Sequence, residues 1–202
     1  MCGNALTPTT PGVASRVLSS ISPSSFCGTI FDWTWPTSPA SVFASSASVS
    51  HSIMTKGWND ERRAFVQHYD DKVLDSSLLR MCSVGFVAAQ DPMWTSTLLA
   101  MDDELVTDSL VYRYDPGASP DGLRGSEGTF SLCSFMYVDA LARSGRLDDA
   151  RLALEKMLTY ANHVGLYSEE IGLTGEQLGN FPQAFTHLAL ISAAYNLDRQ
   201  LG

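Results

Sequence analysis

The chain is short of charge. Asp, Glu, Lys and Arg make up 17% of its 202 residues, against about a quarter in ordinary globular proteins. Positive charge is scarcest: 13 Lys and Arg face 22 Asp and Glu, for a net charge of -9. That balance argues against a nucleic acid or an anionic membrane as partner, since both demand a basic surface. No apolar run reaches membrane-spanning length. The N-terminus lacks a basic region followed by a compact apolar core, so no signal peptide is expected and a cytoplasmic location is the default. The four cysteines (Cys2, Cys27, Cys82, Cys133) include no C-x-x-C pair. Cys82 and Cys133 lie in apolar runs and read as small core side chains. There is no phosphate loop, no G-x-S-x-G elbow and no H-E-x-x-H. His68, Asp70 and Asp71 lack metal-ligand spacing, and His163 and His187 stand alone. Neither a metal nor a cofactor is expected.

Charge is missing most completely from the first fifty residues, where only Arg16 and Asp32 are ionised among 12 serines and 5 prolines. No helical or strand period is sustained there, and Pro8, Pro11, Pro23, Pro36 and Pro39 interrupt any that begins. Residues 1–50 therefore read as a poorly ordered leader, or as a stretch that is not the natural N-terminus. The aromatic trio Phe31, Trp33 and Trp35 offers a different reading, a cluster able to stack on sugar. A length of 202 residues suits one domain with a real core, and residues 51–202 have the composition for it.

What is present after residue 50 is mostly helical. Residues 64–69 alternate weakly and suggest a short strand. Asp75 can cap a helix. Asp91-Pro92 is an N-cap followed by proline at the first helical position, opening a helix to about Leu105. Residues 110–114 read as a strand, followed by a Gly-rich loop from Asp115 to Gly128. A helix over 129–143 is apolar nearly all round and so buried. One over 147–161 is amphipathic, and one over 181–197 is again almost free of charge. Buried, half-exposed, buried is the alternation of inner and outer helices in two concentric rings. An all-α, partial (α/α)6 toroid of helical hairpins with short strands in its loops is the expected architecture, although periodicity alone fits a plain bundle nearly as well.

Few constellations carry chemistry. Residues 166–185 form a loop through Gly172, Gly175 and Gly179, with adjacent carboxylates Glu169 and Glu170, ending in a helix-start signal at Asn180 and Pro182. A carboxylate on a rigid loop before a buried helix can serve as a general base; a solvated glutamate or a helix cap is the plainer alternative for Glu169. Glu170 reads as its hydrogen-bonding or solvent-facing neighbour, and Glu176 as solvent-facing. Arg113, flanked by Tyr112 and Tyr114, can donate a fork of hydrogen bonds to hydroxyls or simply join an ion pair. Glu127 opens the buried helix and either lines a site or favours the helix N-terminus.

Four blocks, in order, resemble glycoside hydrolase family 15, the glucoamylase and trehalase family. They are Gly57-Trp58-Asn59 through Leu74-Asp75-Ser76-Ser77-Leu78-Leu79; Val84-Gly85-Phe86 with Asp91-Pro92; Leu110-Val111-Tyr112-Arg113-Tyr114 through Glu127-Gly128-Thr129-Phe130 and Val138-Asp139-Ala140-Leu141; and Ser168-Glu169-Glu170 with Gly179-Asn180-Phe181-Pro182-Gln183-Ala184-Phe185. The resemblance implies an (α/α)6 barrel that hydrolyses α-glucosidic bonds with inversion, in which Glu169 is the base, Arg113 holds sugar hydroxyls, Glu127 and Tyr114 line the pocket and Phe130 is an aromatic platform. The implied partner is a malto-oligosaccharide or trehalose; glucoamylase-like action is the first expectation and trehalase the alternative.

Inversion needs two carboxyl groups, one acid and one base. The family's acid lies in a Trp-Glu motif upstream, and no Trp-Glu occurs in this chain. The resemblance thus covers the C-terminal part of the catalytic domain, and this chain alone is expected to be inactive. Half a toroid also exposes the apolar faces of its inner helices, so a complementing barrel half or a homo-oligomer is expected. Two other readings stand beside it: a non-catalytic remnant, or an interaction scaffold, since Ala140–Ala150 resembles a tetratricopeptide-type turn, though it occurs once.

Overall fold

The computed structural model describes residues 39–115, 117 and 127–202. The aromatic trio Phe31, Trp33 and Trp35, Cys2, Cys27, and most of the Gly-rich loop lie outside the described residues. The chain divides into two units, Met1–Val42 and Phe43–Gly202, and the buried apolar core of the described residues belongs to the second.

The described residues contain six α-helices and seven two-residue strands, so the fold is mostly helical, with short antiparallel strands in its loops. This is a partial (α/α) toroid. Helix α1 spans Pro39–Lys56, where the sequence led us to expect no sustained helix. Pro39 stands at its first position, where a proline lacks nothing the helix needs. A hairpin follows, β1 (Trp58–Asn59) against β2 (Ala64–Phe65). Asp75 accepts from the Ser77 amide and starts a 3-10 turn, Ser76–Leu79, that runs into α2, Arg80–Ser83. Asp91 accepts from the Met93 amide with Pro92 at the first position of α3, Pro92–Glu104, as the N-cap signal required. Strands β3 (Val106–Thr107) and β4 (Leu110–Val111) pair next.

Helix α4, Ser131–Arg143, is the axle of the fold. Ten of its 13 residues are buried, and α5 (Leu147–Leu158), α6 (Ala184–Leu201), α2, the 3-10 turn and β4 all pack on it. The turn into α5 uses Gly145 at φ 82°, and the Arg146 amide donates to the Leu141 carbonyl, a left-handed cap that ends α4. Polar ties lock the helices. Tyr137 Oη donates to Asp102 Oδ1 at 2.7 Å, linking α4 to α3, and Arg146 bridges Asp102 and Asp149. Asn196 Nδ2 donates to the buried Asp139 at 2.6 Å, linking α6 to α4. Burial and the Asp102 hydrogen bond push the Tyr137 phenol well above its ordinary range.

Two expectations fail at the C-terminal end. The helix begins at Ala184 rather than 181, because Asn180 is engaged elsewhere and the chain is extended at Gln183. Nor is α6 buried all round. Thr186, Ala189, Ala193 and Leu197 are buried, but Phe185, Leu188, Ile191 and Tyr195 are 60–68% exposed. Among the described residues nothing covers that face.

Candidate active site

Arg113 sits where the 3-10 turn meets the strand end. Its carbonyl accepts from the Ser76 amide at 2.7 Å, and Tyr114 bridges Asp75. The backbone is thereby fixed on both sides of the arginine. Its guanidinium lies 4.5 Å from the Tyr114 ring centre and 5.0 Å from that of Phe130, a spacing at which cation–π attraction acts. Arg113 Nη2 donates to Glu127 Oε1 at 3.0 Å and also to Tyr114 Oη. Four residues singled out in the sequence, Arg113, Tyr114, Glu127 and Phe130, therefore form one cluster. Glu127 does not open the helix as expected: Phe130 is the N-cap of α4, and the glutamate is engaged by the arginine.

The arginine opens onto a cleft of about 590 Å3, whose lining includes Asp75, Ser77, Arg80, Leu132 and Leu188. A mixed polar and apolar cleft of this size suits a small organic ligand. Cys133 reaches it too. Its thiol accepts from Ser76 Oγ at 2.9 Å, and burial pushes its pKa up to about 11. Such a thiol is a packing group rather than a nucleophile. Cys82 and Cys133 are both buried and free, as expected.

Glu169 is tied to the same helix start through its backbone. What looked like a loop is a three-stranded sheet: β5 (Thr129–Phe130), β6 (Glu170–Ile171) and β7 (Gln177–Leu178), with Thr129 opposite Ile171 and Glu170 opposite Leu178. The Ser131 amide, first in α4, donates to the Glu169 carbonyl at 2.9 Å. The half-buried Glu169 carboxylate accepts from the Asn180 amide at 3.0 Å and from Asn180 Nδ2 at 2.9 Å, both at Oε2. Among the described residues no hydrogen bond falls on Oε1. Glu170 is tied down, accepting from the Gly128 amide at 2.9 Å, and the exposed Glu176 accepts from Thr174. His187 is structural: it bonds the Gln183 carbonyl and accepts from the Tyr167 amide.

The chemistry on offer is therefore a carboxylate with one oxygen held and one free, and an arginine fork, at one end of α4. Glu169 is not among the residues lining the cleft beside Arg113; its carbonyl is bonded by the Ser131 amide, one residue on from Phe130, whose ring meets the arginine. The Asn180 contact was missed in the sequence because Asn180 read as a helix cap.

The fold matches that of solved glycosidase chains. Solved chains described as "Glycosidase Wild Type" and "Glycosidase E335A in complex with glucose" superimpose with a TM-score of 0.68 over 80% of this chain and 46% of theirs, at 21% and 20% identity. The chain belongs to Glycosyl hydrolases family 15, whose profile matches residues 36–195. It is 44% identical to the trehalase of Thermoplasma acidophilum over 73% of this chain and 25% of that protein. It is likewise 44% identical to the trehalase of Mycolicibacterium smegmatis (77% and 23%) and 47% identical to that of Mycobacterium tuberculosis (69% and 21%). The chain thus spans a quarter or less of the length of these curated relatives. No helix among the described residues is long and apolar enough to cross a membrane.

Proposed function

We propose that the chain carries the base half of an inverting α-glucoside hydrolase site, with trehalose the preferred substrate. The observation that carries this is the Glu169 carboxylate, held at one oxygen by Asn180 and open at the other, at the same helix start as the Arg113 cluster. The choice of trehalose over malto-oligosaccharide reverses the first expectation from the sequence; it rests on the relatives, which are trehalases.

On this reading the free oxygen of Glu169 takes a proton from a water as that water attacks the anomeric carbon. The glycosidic C–O bond breaks on the opposite face, and the leaving oxygen needs a proton from a general acid. Trehalose and water give one α-glucose and one β-glucose. Arg113 donates to sugar hydroxyls, Glu127 and Tyr114 hold the arginine in place, and Phe130 backs the sugar. No Trp-Glu is present to supply the acid, which supports reading the chain as the C-terminal part of the catalytic domain. A complementing barrel half would supply the acid and cover the bare face of α6.

The missing acid dictates the test. α-Glucosyl fluoride needs little protonation of its leaving group, so the full chain should release β-glucose from it, seen by NMR, while leaving trehalose almost untouched. Loss of fluoride hydrolysis in Glu169→Gln is expected. Equal rates for the two proteins, or an α-glucose product, would sink the base assignment.

A further inference from the structure

We infer that Asn180, placed by a bulge at Gly179, is the positioning residue for the Glu169 carboxylate. The inference rests on the base reading of Glu169 given above, and it concerns a residue with no assigned part in that chemistry.

The strand register makes the case. Glu170 stands opposite Leu178 and Ile171 opposite Gln177. Continued regularly, that ladder would set Gly179 opposite Glu169. Instead the Glu169 amide donates to the Asn180 carbonyl at 2.9 Å. Gly179, at φ 72°, is one extra residue, the signature of a β-bulge with glycine in the left-handed region. Bulges re-aim side chains, and this one brings the Asn180 amide and Nδ2 together onto Glu169 Oε2, 3.0 and 2.9 Å away. The carboxylate lies directly over the bulge: a Cβ at Gly179 would sit 2.7 Å from Oε2 and 2.9 Å from the Glu169 Cβ. Two donors on one oxygen, with a glycine beneath, fix the side chain in one rotamer and leave Oε1 as the oxygen that meets water. A base that is free to rotate loses rate through misorientation rather than through weaker substrate binding.

The experiment uses the full chain and the variants Asn180→Ala, Asn180→Ser and Glu169→Gln. Three-bond NMR couplings across the Glu169 side-chain torsions report its rotamer without any turnover. They should show one rotamer in the parent, averaging in Asn180→Ala, and partial recovery in Asn180→Ser, which keeps a donor. With α-glucosyl fluoride, Asn180→Ala should lower kcat at least tenfold and leave KM within twofold. A single Glu169 rotamer in Asn180→Ala, or a change confined to KM, overturns the positioning role. Rotamer averaging together with undiminished hydrolysis in Glu169→Gln removes the base reading while the hold by Asn180 stands. A parent chain without fluoride turnover likewise removes the base reading, and the couplings decide on Asn180.

Discussion

Glu127 and Arg113 are joined by a 3.0 Å contact, Nη2 to Oε1, while the rings of Tyr114 and Phe130 approach the same guanidinium. The ion pair is partly open to solvent, with the Arg113 and Glu127 side chains 39% and 24% exposed, so screening leaves it less than about 1 kcal/mol of folding stability. Its contribution is orientation. Arg113→Lys keeps the charge but loses the planar fork and its fit between two rings. Trehalose or glucose binding, measured by calorimetry, should weaken about tenfold or more, equivalent to roughly 1.5–3 kcal/mol for hydrogen bonds to a charged donor. The melting temperature should barely move. A large drop in melting temperature with unchanged sugar affinity would make the cluster a structural ion pair.

Asn196 and Asp139 support the fold instead. Asp139 is 8% exposed, and its carboxylate is shared between Asn196 on α6 and Arg143 on its own helix. Asn196→Leu removes one donor and leaves a buried carboxylate oxygen short of a partner, which costs about 1–3 kcal/mol. Urea unfolding should show that loss, with the denaturant slope unchanged. Neutral stability in this variant would show that water replaces the asparagine.

Several elements were legible in advance for local reasons. Asp91-Pro92 and Asp75 each carry their own cap, and the structure uses both. The amphipathic pattern over 147–161 appears as α5, with Ala150 and Met157 on its buried side; Ala153, which the pattern did not mark, joins them, and Leu158, which it did, is 51% exposed. The site divides differently. Arg113 beside Tyr114 was visible, but its tie to Glu127 spans residues with no periodic signal. Strands β6 and β7 have two residues each, too short to show alternation, so the hairpin that aims Glu169 looked like a loop. Helix α6 looked buried because its sequence is apolar on every side. Apolar residues record what a helix is suited to pack against and cannot say whether a partner is there.

That bare face of α6 has a measurable consequence. Leu188 and Ile191 are 60% and 64% exposed, so replacing both with Gln should change the stability of the isolated chain by no more than about 0.5 kcal/mol per site. Self-association should fall, because a contiguous apolar stripe is removed. Sedimentation velocity checks the second point and thermal melting the first. A loss of several degrees would mean that the stripe is covered within the chain itself.

Cys133 gives the alkaline limb of stability a sign. Burial raises its thiol from 9.0 to about 11, so the folded state holds the proton more tightly than the unfolded one. The contribution is fully present below about pH 9 and is lost as pH climbs towards 11, up to about 2–3 kcal/mol. Cys133→Ala should therefore lose less stability than the parent between those pH values in paired urea titrations. Parallel curves would show that the thiol is not protected by burial.

Gly179 and Gly145 provide a matched pair for the last prediction. Both have positive φ, 72° and 82°, so alanine at either incurs the left-handed backbone penalty of roughly 1 kcal/mol. Their surroundings differ. A Cβ at Gly145 meets nothing within 4 Å, whereas one at Gly179 meets Glu169 Oε2 at 2.7 Å. Gly145→Ala should thus lower stability by about 1 kcal/mol and leave the site alone. Gly179→Ala should lose more, because either the bulge opens or the carboxylate swings off the two Asn180 donors. Amide exchange at Asn180, measured by NMR, separates these routes. Faster exchange at Asn180 in Gly179→Ala alone is the expected result, since the strain is released where the glutamate is held. Equal behaviour of the two variants would mean that Glu169 can move aside freely, and that the bulge does not fix where it points.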